Sequence, residues 1–153
     1  MAARSAGILM YRRNGGALQV LLVHPGGPVW AKKDVGAWSI PKGEYHPDES
    51  PWLAALREFE EETGMRPSGT PIQLGETKQA SGKRIIAFAL EGDLDIDHIR
   101  SNVFETEWPP RSGRMQTFPE IDRAGWFTIP TAYEKIVGGQ KAFLDRLLEQ
   151  VPP

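Results

Sequence analysis

The 153-residue chain contains no cysteine. Disulfides, thiolate nucleophiles, zinc ribbons and iron–sulfur clusters are therefore excluded. Histidine is almost as scarce: His24, His46 and His98 are the only three, too scattered for a His-rich metal site. Long apolar runs are missing. Ala6 to Tyr11 is apolar for six residues and is followed at once by Arg12-Arg13. A secretory core needs about 7–15 apolar residues and a membrane helix about 20. A soluble, cytoplasmic protein without a membrane partner is expected. Excess positive charge is absent too: 18 Lys and Arg against 20 Asp and Glu leave a net charge of −2, with an isoelectric point near 5.9. Bulk charge thus argues against a nucleic-acid partner.

What is present suits a packed core. Hydrophobic residues make up 40% of the chain and charged residues 25%, and the length predicts one domain over residues 1–153. Gly7–Arg12 and Leu18–His24 are apolar runs of strand length around Asn14-Gly15-Gly16, which reads as a β-hairpin. Pro25-Gly26-Gly27-Pro28 breaks regular structure. Ala37–Ile40 reads as a short strand stopped by Pro41, and Lys42–Glu49 as a loop. Ser50 as N-cap and Pro51 at the first helical position open a helix that runs to Thr63, with Gly64 as its stop. Leu53, Leu56 and Phe59 mark its expected buried face. Further strands are expected near Ile72–Gln79, Arg84–Glu91, Val103–Trp108 and Gly125–Thr128, and closing helices near Thr131–Val137 and Gln140–Gln150. The pattern predicts an α/β fold, a mixed sheet with helices on its faces.

The chemistry concentrates in Arg57-Glu58-Phe59-Glu60-Glu61-Glu62. On a helix Glu58, Glu61 and Glu62 fall at i, i+3 and i+4, on one face. Four glutamates and one arginine between Ser50 and Met65 give a local charge of −3. Like charges at this spacing repel, and a divalent cation would relieve the repulsion. Hard oxygen donors favour Mg²⁺ or Mn²⁺. Read by itself, the same stretch is equally well an acidic, solvated helix face.

The spacing around the helix carries more. Gly43, five residues, Glu49, seven residues, then Arg57-Glu58-Phe59-x-Glu61-Glu62-x-Gly64-Met65 resembles the Nudix box, G-x5-E-x7-R-E-U-x-E-E-x-G-U with U apolar. All nine specified positions match over 23 residues, and the flanking hairpin and strands extend the resemblance over the chain. The resemblance implies a Nudix α/β/α sandwich and Mg²⁺-dependent hydrolysis of a diphosphate bond in a nucleoside diphosphate linked to another moiety. It implies Glu58, Glu61 and Glu62 as metal ligands, joined by a backbone carbonyl of Lys42 or Gly43. It gives Glu49 and Arg57 a supporting role as a pair. The general base stays open among Glu58, Glu61 and a carboxylate from a later loop. In small members of the family an acidic residue lies about six positions before an aromatic in the last strand, and Glu120 stands so before Trp126. Asp122 is its rival.

Substrate-binding candidates are Lys42, in the Trp38-Ser39-Ile40-Pro41-Lys42-Gly43 entry to the box, then Trp30, Lys32 and Lys33, and Arg84. Each has a plainer reading as surface charge or packing. Subfamily markers are missing. Gly82 stands where many diadenosine polyphosphate hydrolases carry tyrosine, and Ala80-Ser81 where ADP-ribose pyrophosphatases carry proline. The expected partner is a small nucleotide: a dinucleoside polyphosphate or nucleoside triphosphate first, a triphosphorylated RNA end second. A domain that binds nucleotide without turnover would be expected to carry a degenerate box, and this box is complete.

Overall fold

The computed structural model describes residues 4–153. Among the described residues, eight strands and three α-helices follow one another: β1 (Arg4–Asn14), β2 (Ala17–Pro25), β3 (Lys42–Glu44), α1 (Pro51–Thr63), β4 (Ile72–Lys78), β5 (Arg84–Glu91), β6 (Val103–Glu107), β7 (Met115–Pro119), β8 (Ile121–Thr128), α2 (Ile129–Lys135) and α3 (Lys141–Gln150). The main sheet has the order β4-β5-β1-β2-β8, with β3 paired to β1. It is mixed: β1 runs parallel to β5 and antiparallel to β2 and β3. β6 and β7 form a separate antiparallel ribbon.

The central strands are apolar on both faces, so each feeds two cores. Leu9, Val20, Leu22, Ile85, Ala87 and Ala89 pack under α2 and α3 with Phe143, Leu144 and Leu147. Their strand neighbours Ile8, Met10, Leu21, Val23, Phe88 and Leu90 pack under α1 with Ala54, Ala55, Leu56 and Phe59. The alternation follows from the two-residue period of a strand. The result is the α/β/α sandwich that the box implied.

The β1–β2 hairpin closes through Gly15-Gly16, both at positive φ (59° and 85°), as a two-residue loop of this twist requires. Helix α1 begins as the sequence indicates: Ser50 is the N-cap, and Gly64 ends the helix at φ 84°, donating to the Glu60 carbonyl at 2.8 Å.

Several sequence expectations need correction. Lys42–Glu44 is not loop but β3, held on the N-terminal half of β1. Ala37–Ile40 is not a regular strand; Trp38 and Ser39 make isolated bridges to Ile136 and Val23. Leu53 is 57% exposed, because Ala54, Ala55, Leu56 and Phe59 turn the apolar stripe of α1 past it. β7 was not foreseen: most of Met115–Pro119 is exposed, so burial leaves no alternation in its sequence. Strand β8 begins at Ile121, four residues before the expected Gly125.

Candidate active site

Helix α1 and strand β3 place the box residues against one another. Glu58 is buried on α1 and turns toward β3 so closely that a β-carbon on Gly43 would lie 2.0 Å from its Oε2. Only glycine fits there. One turn on, Glu62 Oε1 accepts a hydrogen bond from the Lys42 backbone N–H at 3.3 Å.

Arg57 binds several carboxylates at once. Its Nε and Nη2 donate to Glu49 at 3.1–3.2 Å, anchoring the loop before α1. Its Nη1 donates to Glu58 Oε1 at 2.7 Å and reaches Glu61 Oε1 at 3.4 Å. The Glu49–Arg57 pair is thus present, and the guanidinium also neutralises part of the acidic face, which spacing alone did not reveal. Among the described residues, Glu58, Glu61 and Glu62 do not yet converge into a group that would hold an ion; Arg57 stands between the first two.

The electrostatics show unmet demand for positive charge. Burial pushes the Glu58 carboxyl above its ordinary value, and the charge of Glu61 adds to this against the pull of Arg57. Burial pushes Glu62 up to about 8, against the nearby Lys42, with Glu58 and Glu120 adding to the rise. Burial lowers Lys42 in turn, opposed by the Glu62 carboxylate. Burial penalises the charged form of a carboxyl, and a bound divalent cation reverses that penalty. The donor set is all oxygen and anionic, which fits Mg²⁺ or Mn²⁺ and not a soft metal.

Glu62, Lys42 and Glu120 line one cavity of about 350 Å³, with Trp30, Ile40 and Gln140 among its other walls. Glu120 does not sit in an extended loop, as its sequence setting suggested. It is the single residue between β7 and β8, and its backbone is held by Asn102 and Gly26 at 2.8 Å each. Its rival Asp122 is engaged elsewhere: its Oδ1 meets His24 Nδ1 at 2.8 Å, and His24 Nε2 donates to the Lys33 carbonyl at 2.6 Å. His24 is fully buried, and this bridge ties the segment after β2 to β8.

The remaining candidates divide. Trp30 lines the cavity. Lys33 lies over the Trp30 ring, 4.8 Å from its centroid, while Lys32 is exposed and lines none of the cavities described here. Arg84 is not brought to the site; it opens β5 and pairs with Glu76 at 3.0 Å. Gln140 was missed by the sequence reading. It is fully buried; its side chain accepts from Ile40 N–H and donates to Ser39 Oγ, fixing the cavity floor. Nothing local in the sequence marks it, because its partners lie about 100 residues away.

Comparison with known proteins shows the family and the fold. The family model described as "NUDIX domain" matches residues 1–147. An octanoyltransferase of Myxococcus xanthus is 30% identical over 133 residues; the match covers 87% of this chain and 33% of that protein, so the chain spans about a third of that relative's length. An RNA pyrophosphohydrolase of Xylella fastidiosa is 25% identical over 159 residues, covering 92% of this chain and 76% of the relative. Among solved structures, the binary complex of the Caenorhabditis elegans Ap4A hydrolase superposes with a TM-score of 0.67 at 21% identity, over 97% of each chain.

Proposed function

The chain belongs to the NUDIX family, and we propose that it is a divalent-metal-dependent hydrolase of a phosphoanhydride bond in a nucleoside diphosphate linked to a second group. The observation that carries this reading is one cavity that joins Glu62 and Lys42 of the box to Glu120 from the far strand, beside the aromatic Trp30.

In this reading Glu58, Glu61 and Glu62 hold Mg²⁺ or Mn²⁺, with the backbone at Lys42–Gly43 alongside. When bound, the metal supplies charge neutralisation on the phosphate oxygens and a lowered pKa for water. Arg57 then no longer has to neutralise Glu58 and Glu61 and keeps its grip on Glu49. Lys42 contributes a point charge toward a phosphate. Glu120, which lines the cavity while its backbone is fixed, is the proton acceptor for the attacking water. Trp30 and the apolar walls Ile40 and Val137 receive a base and ribose.

The preferred substrates are dinucleoside polyphosphates or nucleoside triphosphates. The 25% identity to an RNA pyrophosphohydrolase along most of both chains favours a triphosphorylated RNA end as a second reading. A chromatographic screen over diadenosine polyphosphates, nucleoside triphosphates, ADP-ribose and 5′-triphosphorylated oligoribonucleotides, with and without Mg²⁺, tests both. Turnover of a phosphoanhydride only with metal is expected. Inertness toward every compound would overturn the reading.

A further inference from the structure

Beside the cavity of the carboxylate site lies a second, aromatic cavity that the hydrolytic reading leaves without a ligand. This second cavity, of about 340 Å³, lies between the Gly26–Trp30 segment and strand β6. It shares Pro25, Trp30 and Glu120 with the first, so the two are neighbours across one wall.

The second cavity is built by local rules. Phe104 and Thr106 occupy alternate positions of β6, and Trp108 continues their face; all three are half-buried. The intervening Val103, Glu105 and Glu107 point to solvent. Phe104 is backed by its cross-strand partner Phe118, with ring centroids 6.1 Å apart. The opposite wall approaches closely because it lacks side chains at two points. A β-carbon on Gly27 would lie 2.9 Å from the Phe104 ring, and one on Gly26 would lie 1.9 Å from the Pro119 carbonyl oxygen. The Gly26 N–H donates to the Glu120 carbonyl at 2.8 Å, so the wall is pinned by a residue that lines both cavities.

The geometry points to a second nucleobase subsite at Trp108 and Phe104, holding the distal base of a dinucleoside polyphosphate. This inference rests on the proposed hydrolytic reading of the carboxylate site. Two adjoining cavities share Trp30 and Glu120, and the first also holds the charged Lys42 and Glu62. The ligand that complements them has a flat ring at each end of a polyanionic linker, whereas a nucleoside triphosphate fills one end only. Stacking on aromatic rings accepts any base, because every base presents a π-face.

The test measures affinities by calorimetry without metal, so that no turnover is required, for diadenosine tetraphosphate and ATP on wild type, Trp108→Ala and Trp108→Phe. Melting curves of both variants establish that they fold, and Phe104→Leu repeats the test should Trp108→Ala fail to fold. Wild type is expected to bind diadenosine tetraphosphate about tenfold more tightly than ATP. Trp108→Ala should abolish that excess and leave ATP affinity within twofold, and Trp108→Phe should restore most of it. Equal wild-type affinities, no measurable binding of the dinucleotide, or a loss shared equally by both ligands overturns the subsite. Tighter binding of a 5′-triphosphorylated diribonucleotide than of diadenosine tetraphosphate also overturns it and gives the groove to an RNA end. Failure of hydrolysis in the substrate screen would leave these affinities measurable, so the two readings fail separately.

Discussion

The Glu58 carboxylate occupies the space where a side chain at Gly43 would begin: a β-carbon there would stand 2.0 Å from Oε2 and 2.1 Å from the carboxyl carbon. The first glycine of the box is therefore a space requirement imposed by its second glutamate, 15 residues later. Gly43→Ala must push Glu58 aside or part β3 from α1. We expect Gly43→Ala to lower kcat/KM by about 10–100-fold, the range typical of residues that orient metal ligands. Steady-state kinetics with saturating Mg²⁺ checks this, and unchanged kinetics would mean that Glu58 is free to take another position without loss.

Glu62 links function to a pH-dependent cost. Its folded value is near 8 against an ordinary 4.5, raised first by burial. Between those values the folded chain keeps a proton that the unfolded chain has released. Stability from this group is therefore full below about 4.5 and declines as pH rises toward 8. We expect the metal-free protein to melt lower at pH 8 than at pH 5.5. Glu62→Gln should raise the pH 8 melting temperature and flatten the slope, while losing about 10²-fold or more in kcat through loss of a charged metal ligand. Added Mg²⁺ should raise the wild-type melting temperature more at pH 8 than at pH 5.5, because binding requires the ionised carboxylates. Thermal melts across pH, with and without metal, provide the check.

Arg57 couples the loop to the helix through Glu49 while also restraining Glu58 and Glu61. Its side chain is 41% exposed, so its removal should cost only about 1–2 kcal/mol of stability. The larger effect should be on turnover, since the Glu49 loop and two carboxylates lose a shared anchor. Arg57→Lys should rescue poorly, because an ammonium cannot reproduce the bidentate grip on Glu49. Urea denaturation and kcat on both variants separate these effects.

Glu120 and Asp122 should behave as opposites. Glu120→Gln is expected to cut kcat more than tenfold with little change in melting temperature, since Glu120 lines the cavity and its backbone does the holding. Asp122→Asn weakens the bond to a fully buried His24. We expect it to lower the melting temperature by several degrees, on the order of 1 kcal/mol, with kcat largely retained. A kcat collapse in Asp122→Asn with a normal rate in Glu120→Gln would move the base to Asp122.

The local parts of this protein were written in its sequence. A Ser-Pro start and a Gly stop define α1, a Gly-Gly pair closes the first hairpin, and the box spacing places three glutamates on one helical face. Each of these depends on backbone preferences or on contacts within a few turns of chain. Tertiary structure alone decided the rest. It paired Lys42–Glu44 with β1 and set Glu58 against Gly43. It engaged Asp122 with a histidine 98 residues away, set Glu120 in the wall of the cavity that Glu62 also lines, and buried Gln140 beneath that cavity. It also paired the expected strand β6 with the unforeseen β7 into the ribbon that walls a second aromatic cavity. Those outcomes depend on which distant surfaces meet when the sheet closes between its helices, and burial and pairing at that scale leave no periodicity in the local sequence.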